Sequence, residues 1–311
     1  LLASAERDGV VAAVDPALAG AVERMTGEHV VGGVSTPGSG VAIGWLNRLD
    51  ALAEAGRLWR LPYGNPDLAR ADASDELERV LAWSDAATPD DQLDLPTVAV
   101  LEAGAGEELT AQLTGFDTVV VRNATGAEAG TPTLLGAAPL STFAALPAGV
   151  RPGRLIAEEL LADRPPLYVI ATVEGAEADA ALGGSRRHVA PAATPEAPLV
   201  WPDATAPAAW AAVSDALNAA ETDATFLQAL MGTDEPVDLS RVGATAFSSD
   251  FVDEAAALAY LDAATPARVN ASLITLKAAQ SFVMGSRTNT FPVTVGNGLG
   301  VPVQVRVDFT S

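Results

Sequence analysis

The chain has 311 residues, 49% hydrophobic but only 5% aromatic, so its apolar content is mostly Ala, Val and Leu, which suits helices laid on a sheet. A formal charge of −22, from 40 acidic and 18 basic residues, repels polyanions and leaves no Lys/Arg stripe for phosphates, arguing against nucleic acid and anionic membrane surfaces as partners. With no cysteine, disulfides, thiolate nucleophiles and Cys-ligated zinc are excluded, while the redox compartment stays open.

Short β-branched runs alternate with helical patterns through the first half. Strands are predicted at Val10 to Val14, His29 to Val34, Arg57 to Leu61, Thr97 to Leu101, Thr118 to Arg122 and Leu167 to Val173. Helices are predicted at Ala17 to Met25, Val41 to Ala55, Ser74 to Ala86, Glu107 to Leu113 and Leu155 to Ala162. This alternation predicts a largely parallel sheet with covering helices. Ser74 is read as the N-cap of the third helix, with Asp75 and Glu76 favouring its positive end. From Gly175 to Pro207 the Gly, Ala and Pro content reads as a long surface loop or crossover, followed by helices at Ala208 to Met231 and Phe251 to Ala263.

After Thr265-Pro266 the period changes to two. Phe291, Val293 and Val295 alternate with Pro292 and Thr294, and Val301 to Phe309 alternate similarly beyond a Gly-rich loop. The pattern predicts a hairpin turning at Gly296 to Gly300. The fold class is therefore α/β. An incomplete or distorted (β/α) barrel is expected over residues 1–265, followed over 266–311 by a β-hairpin or the start of a β-sandwich module. An open doubly wound parallel sheet is the alternative.

Lys277 is the single lysine among the 18 basic residues, a bias that fits either a GC-rich genome or a halophile's acidic surface. No run approaches the ~20 apolar residues that span a bilayer, and Leu1 to Arg7 lacks the pattern of a signal peptide. The chain opens on a helical pattern and reads as an excerpt of a longer protein.

Several segments carry a family likeness. VAAVDPALAG (Val11 to Gly20), WLNRLDALAEAGRLWRLPYGNPDLA (Trp45 to Ala69), LPTVAVLEAG, GFDTVVVRN and FPVTVGNGLGVPVQVRV together resemble an actinobacterial family of uncharacterised envelope proteins. That resemblance implies a secreted, membrane-anchored protein, often encoded beside the lipid II flippase, with a barrel similar to polysaccharide deacetylases and flanking β-sandwich modules. It also implies an extracytoplasmic location and a cell-wall glycan or an envelope protein as partner. At Asn65 the chain departs from the family pattern, where an acidic residue is expected.

A deacetylase-type barrel needs a metal held by carboxylates and a closely spaced His pair. Here there are only His29 and His188, neither beside a nucleophile elbow, so no metal site and no Ser-His-Asp triad is assigned. No cofactor is expected. The remaining catalytic candidates are carboxylates: Asp15, Asp67 and Glu102 follow predicted strands, where barrels and open α/β sheets place ligands. A glycosidase needs two such groups roughly 5–10 Å apart. Asp15 and Asp67 can equally cap the helices that follow, and Glu102 can be a solvated loop residue. Glu174, Tyr63 and Trp201 are candidate substrate contacts, the aromatics as sugar-stacking platforms. Trp45, Trp83 and Trp210 read as packing residues, and Trp59 as facing either way. Gly38 to Gly44 mimics a nucleotide loop, with Arg60 placed to meet a 2′-phosphate. Arg186-Arg187-His188 reads as an exposed basic spot.

The expected function is thus a noncatalytic or vestigial envelope module facing carbohydrate. The alternatives are a metal-independent glycoside hydrolase using paired carboxylates and, more remotely, an NADP-binding oxidoreductase.

Overall fold

The computed structural model describes residues 2–7, 10–102, 104–139, 150, 154, 167–182, 198–232, 237–265, 271–278, 293–299 and 302–306. In chain order, α1 (Leu2–Ala5), β1 (Ala12–Val14) and α2 (Pro16–Arg24) lead into a hairpin of β2 (His29–Val31) and β3 (Val34–Thr36). Then come α3 (Gly40–Glu54), β4 (Leu58–Arg60), α4 (Leu68–Ala73), α5 (Leu77–Ala87), β5 (Val98–Leu101), α6 (Glu107–Thr110), β6 (Thr118–Arg122), β7 (Ala127–Glu128) and β8 (Thr133–Pro139). Past β8 lie β9 (Leu167–Val169), α7 (Val173–Leu182), α8 (Ala211–Met231), α9 (Ser240–Thr245), α10 (Glu254–Ala264), β10 (Ile274–Ala278) and β11 (Val293–Asn297).

The chain is mixed α/β. β1 pairs with β4, β5 with β6, β6 with β8 and β8 with β9, every one in parallel. A parallel bridge from Arg60 to Thr97 and a bond from Arg60 N–H to the Pro96 carbonyl at 2.8 Å link β4 to β5. Along this array neighbours succeed one another in chain order. No strand pairing closes β9 onto β1 among the described residues. Their helices meet instead: α1 touches α7, and Arg7 pairs with the fully buried Asp179 at 3.1 Å.

Strand alternation separates two faces. Ala99, Leu101, Val119, Val121 and Leu134 join α4, α5, α6, α8 and α10 in the largest core, around Phe247 and Trp210. Leu58 and Val14 pack with α3 in a second cluster. On the opposite face Val98, Val120, Leu135, Ala137, Trp59, Val100, Leu167 and Val169 pack together with no helical residue among them. Trp59, whose direction the sequence leaves open, belongs to this strand-lined face.

Four expectations are corrected. Ser74 closes α4 instead of opening α5: its hydroxyl donates to the Arg70 carbonyl at 2.8 Å and accepts from the Trp210 N–H at 2.9 Å. The stretch read as a surface loop or crossover from Gly175 opens with most of α7, is irregular over 198–207 as expected, and lies outside the described residues over 183–197. The parallel strand β8 is absent from the sequence reading because Thr133 is its single β-branched residue and Gly136 and Pro139 interrupt it. At Gly136 the Ala124–Thr125 backbone approaches so closely that a Cβ would sit 2.7 Å from it, which explains the glycine. The tail hairpin is paired differently, since β11 runs antiparallel to β10. Within Pro302 to Arg306, the Gln304 N–H donates to the Leu230 carbonyl at 2.7 Å. The helix expected at Leu155 to Ala162 lies outside the described residues.

Candidate functional site at the strand ends

Asp15, directly after β1, is the best-built of the candidates. With extended φ and ψ it caps α2, its Oδ1 accepting from the Ala17 N–H at 2.8 Å, and Pro16 starts the helix where no N–H is needed. The same oxygen accepts from the Gly64 N–H at 2.9 Å. One carboxylate thus joins the end of β1 to the loop after β4. Burial raises its pKa above the ordinary carboxylate value, opposed by its two backbone hydrogen bonds and reinforced by the nearby charge of Asp250.

The loop after β4 is zipped to the segment between α9 and α10. Asn65 Nδ2 donates to Ser249 Oγ at 2.7 Å, the Ser249 N–H donates to the Asn65 carbonyl, and the Asp67 N–H donates to the Phe247 carbonyl. Asn65 holds φ 44°, a left-handed conformation that asparagine tolerates better than most residues. Gly64 holds φ 78°, and a Cβ there would lie 2.8 Å from the Thr245 Cα.

Asp67 caps α4, accepting from the Arg70 N–H and from Arg70 Nε, both at 3.1 Å. Glu102, after β5, is ion-paired with Arg122 at the end of the adjacent β6. Tyr63 is 8% exposed, packed against Ala87 and Ala244, with burial raising its hydroxyl pKa. Its ring is therefore no open stacking platform. Trp201 is half-buried against the largest core. Glu174 lies in the first turn of α7, and its side chain is outside the described set.

The structure brings Asp15 together with Tyr63, Gly64 and Asp250, and pairs Glu102 with Arg122 instead of with another acid. Sequence reasoning missed Asp250, Ser249 and Arg241, whose charge acts on Tyr63. They lie some 180 residues away in the chain, as the 184-residue separation of Asn65 and Ser249 shows, and carry no local signal. Arg122 was accessible, being the cation that ends the strand after Glu102.

The nucleotide-loop reading lacks its context. Among the described residues β2 pairs only with β3, so Gly38 to Gly44 does not follow a strand of the parallel array, and Ser39 simply caps α3. Arg60 is 8% exposed, with Nη1 3.4 Å from Thr88 Oγ1 at the end of α5. Its position answers to the helix terminus and not to a 2′-phosphate. His29 lies in the β2–β3 hairpin, its Nδ1 2.9 Å from the Gly27 carbonyl, while His188 and its arginines lie outside the described residues. Among the described residues no three His, Asp or Glu side chains form a metal-binding group, and no helix is long and apolar enough to cross a membrane. A groove of about 470 Å³ lined by Glu107, Glu108, Glu128 and Pro132 includes none of the candidate residues.

Comparison of the chain with protein-family models, with curated proteins and with solved structures finds no match.

Proposed function

We propose that this chain is a noncatalytic extracytoplasmic module of the cell envelope, built on an incomplete (β/α) barrel whose strand-end rim faces a glycan or an envelope protein. The fold part draws on three features: parallel neighbours in chain order, helices on one face, and a strand-lined apolar cluster on the other. A doubly wound sheet reverses its strand order and carries helices on both faces; a barrel does neither. The meeting of α1 with α7 is the contact that a curling array would make. The envelope part rests on the family resemblance.

The observation that carries the noncatalytic reading is the occupation of all three carboxylates. Asp15 and Asp67 serve as helix caps and Glu102 as an ion-pair partner, so none is paired with another across a gap for substrate. Incubation of purified protein with peptidoglycan and with chitooligosaccharides is expected to release no new reducing ends. Turnover that disappears in Asp15→Asn would overturn the reading. It would support the hydrolase alternative, which draws on the raised pKa of Asp15, the direction that a general acid requires. Cell fractionation tests the location independently, and recovery of the full-length protein in the cytosol alone would sink it.

A further inference from the structure

Residues 26–38 leave the fold between α2 and α3 as an excursion closed at its base. The Ser39 N–H donates to the Met25 carbonyl at 2.8 Å, and Gly38 lies so near that a Cβ would sit 2.1 Å from the Thr26 oxygen. Inside it β2 and β3 pair, among the described residues, only with each other, turning through Gly32 and Gly33 at φ 58° and 81°. The register sets Val31 opposite Val34 and Val30 opposite Ser35, so the two pairs point to opposite sides of the ribbon. All three valines face water, with exposures of 70% for Val30, 59% for Val31 and 66% for Val34. Beside the closed base, Val41 and Ile43 at the start of α3 are 83% and 47% exposed.

Charge is distributed in an equally uneven way. From Val30 to Asn47 there is no charged residue, in a chain whose net charge is −22. An isolated hairpin with bare apolar side chains is poorly stabilised by water. A protein groove would cover one side of such a ribbon, whereas a fluid apolar medium receives both. Self-association sets one strongly acidic chain against another.

We propose that the Val30–Val34 tip inserts into the interface of an electrically neutral lipid bilayer. The uncharged tip complements zwitterionic headgroups, while the remaining charge disfavours anionic ones. The Glu28 carboxylate reaches up the ribbon and accepts from Ser35 Oγ. Ser35 stands opposite Val30, two residues from the turn, so at about 3.3 Å per residue the first carboxylate lies roughly 7 Å from the tip, which limits insertion to the shallow end of the ~5–10 Å to which interfacial elements bury their apolar faces. The inference is independent of the envelope reading, because it specifies a neutral bilayer and not a compartment.

The test is co-sedimentation of the purified chain with phosphatidylcholine vesicles, alone and mixed with phosphatidylglycerol. Wild type is expected to bind the neutral vesicles and to bind less as anionic lipid is added. Val31→Asp/Val34→Asp is expected to bind at least about tenfold more weakly. Val252→Asp, at a 91%-exposed position on a different segment, should bind like wild type. In Val31→Trp the emission of the new indole should shift to the blue on addition of vesicles and be quenched by brominated acyl chains, a readout that does not depend on the folding of the aspartate variant. The proposal fails if wild type does not sediment with neutral vesicles, if the double variant binds equally, or if the indole stays in water. It fails equally if the valines prove to be buried in a dimer.

Discussion

Removing the Asp15 side chain is the most informative single perturbation of the rim. In Asp15→Ala, α2 loses its N-cap, a loss of about 1 kcal/mol at typical sites. The buried Gly64 N–H also loses the acceptor that it meets at 2.9 Å, and an unsatisfied buried donor costs about 1–3 kcal/mol. The expected destabilisation is about 2–4 kcal/mol, read by urea denaturation followed by far-UV circular dichroism at neutral pH. Asp15→Asn retains an acceptor oxygen and a good cap, so it should lose far less. Its pH dependence carries the second half of the test. Burial raises the folded-state pKa of Asp15 above 3.8, so between that value and its folded pKa the folded protein holds the proton more tightly than the unfolded chain. Asp15 therefore contributes a loss of wild-type stability as pH rises through that window, a loss that the asparagine variant lacks. The difference should move in favour of Asp15→Asn on going from pH 4 to pH 7. Equal destabilisation by Ala and Asn, or a difference moving the other way, would refute the double-acceptor account.

Two further substitutions probe the contacts around this one. Gly64→Ala forces a Cβ to 2.8 Å from the Thr245 Cα at a positive φ, and strain with overpacking should destabilise by about 2–4 kcal/mol; a change in denaturation midpoint within error would count against that corner. Arg7→Met removes the cation beside buried Asp179, and because Arg7 itself is 36% exposed the cost is discounted to about 1–3 kcal/mol. Hydrogen exchange should rise in both α1 and α7; a rise confined to α1 would mean that the two helices do not support each other.

The parts of the fold that repeat locally were legible. Thr118 to Arg122 is read residue for residue as β6, and α2 and α3 fall within a residue of their predicted bounds, because a β-branched run and an apolar helical period each report on their own segment. Partner choice was not legible. The alternation of Phe291 to Val295 announces a strand, yet its pairing with β10 depends on residues outside the pattern. Capping could be read as one of two roles for Asp15 and Asp67, since a carboxylate before a helix looks the same either way until the N–H groups are located. Tyr63 looked like a rim aromatic because it follows a strand. Its burial comes from Ala87 and Ala244, the latter 181 positions later in the chain.

The ion pair between Arg7 and Asp179 spans 172 residues, and this imposes a schedule on the nascent chain. At about 5–20 residues per second of synthesis, roughly 9–34 s separate the two partners. Throughout that interval α1 has no α7 to rest on, and Ala5 packs only with the cluster of Val14, Leu49, Leu52 and Leu58. Helix α1 is thus held first by α3 and the start of β4, through Arg48 on Glu6 and Arg57 on the Ala5 and Arg7 carbonyls, and only later by α7.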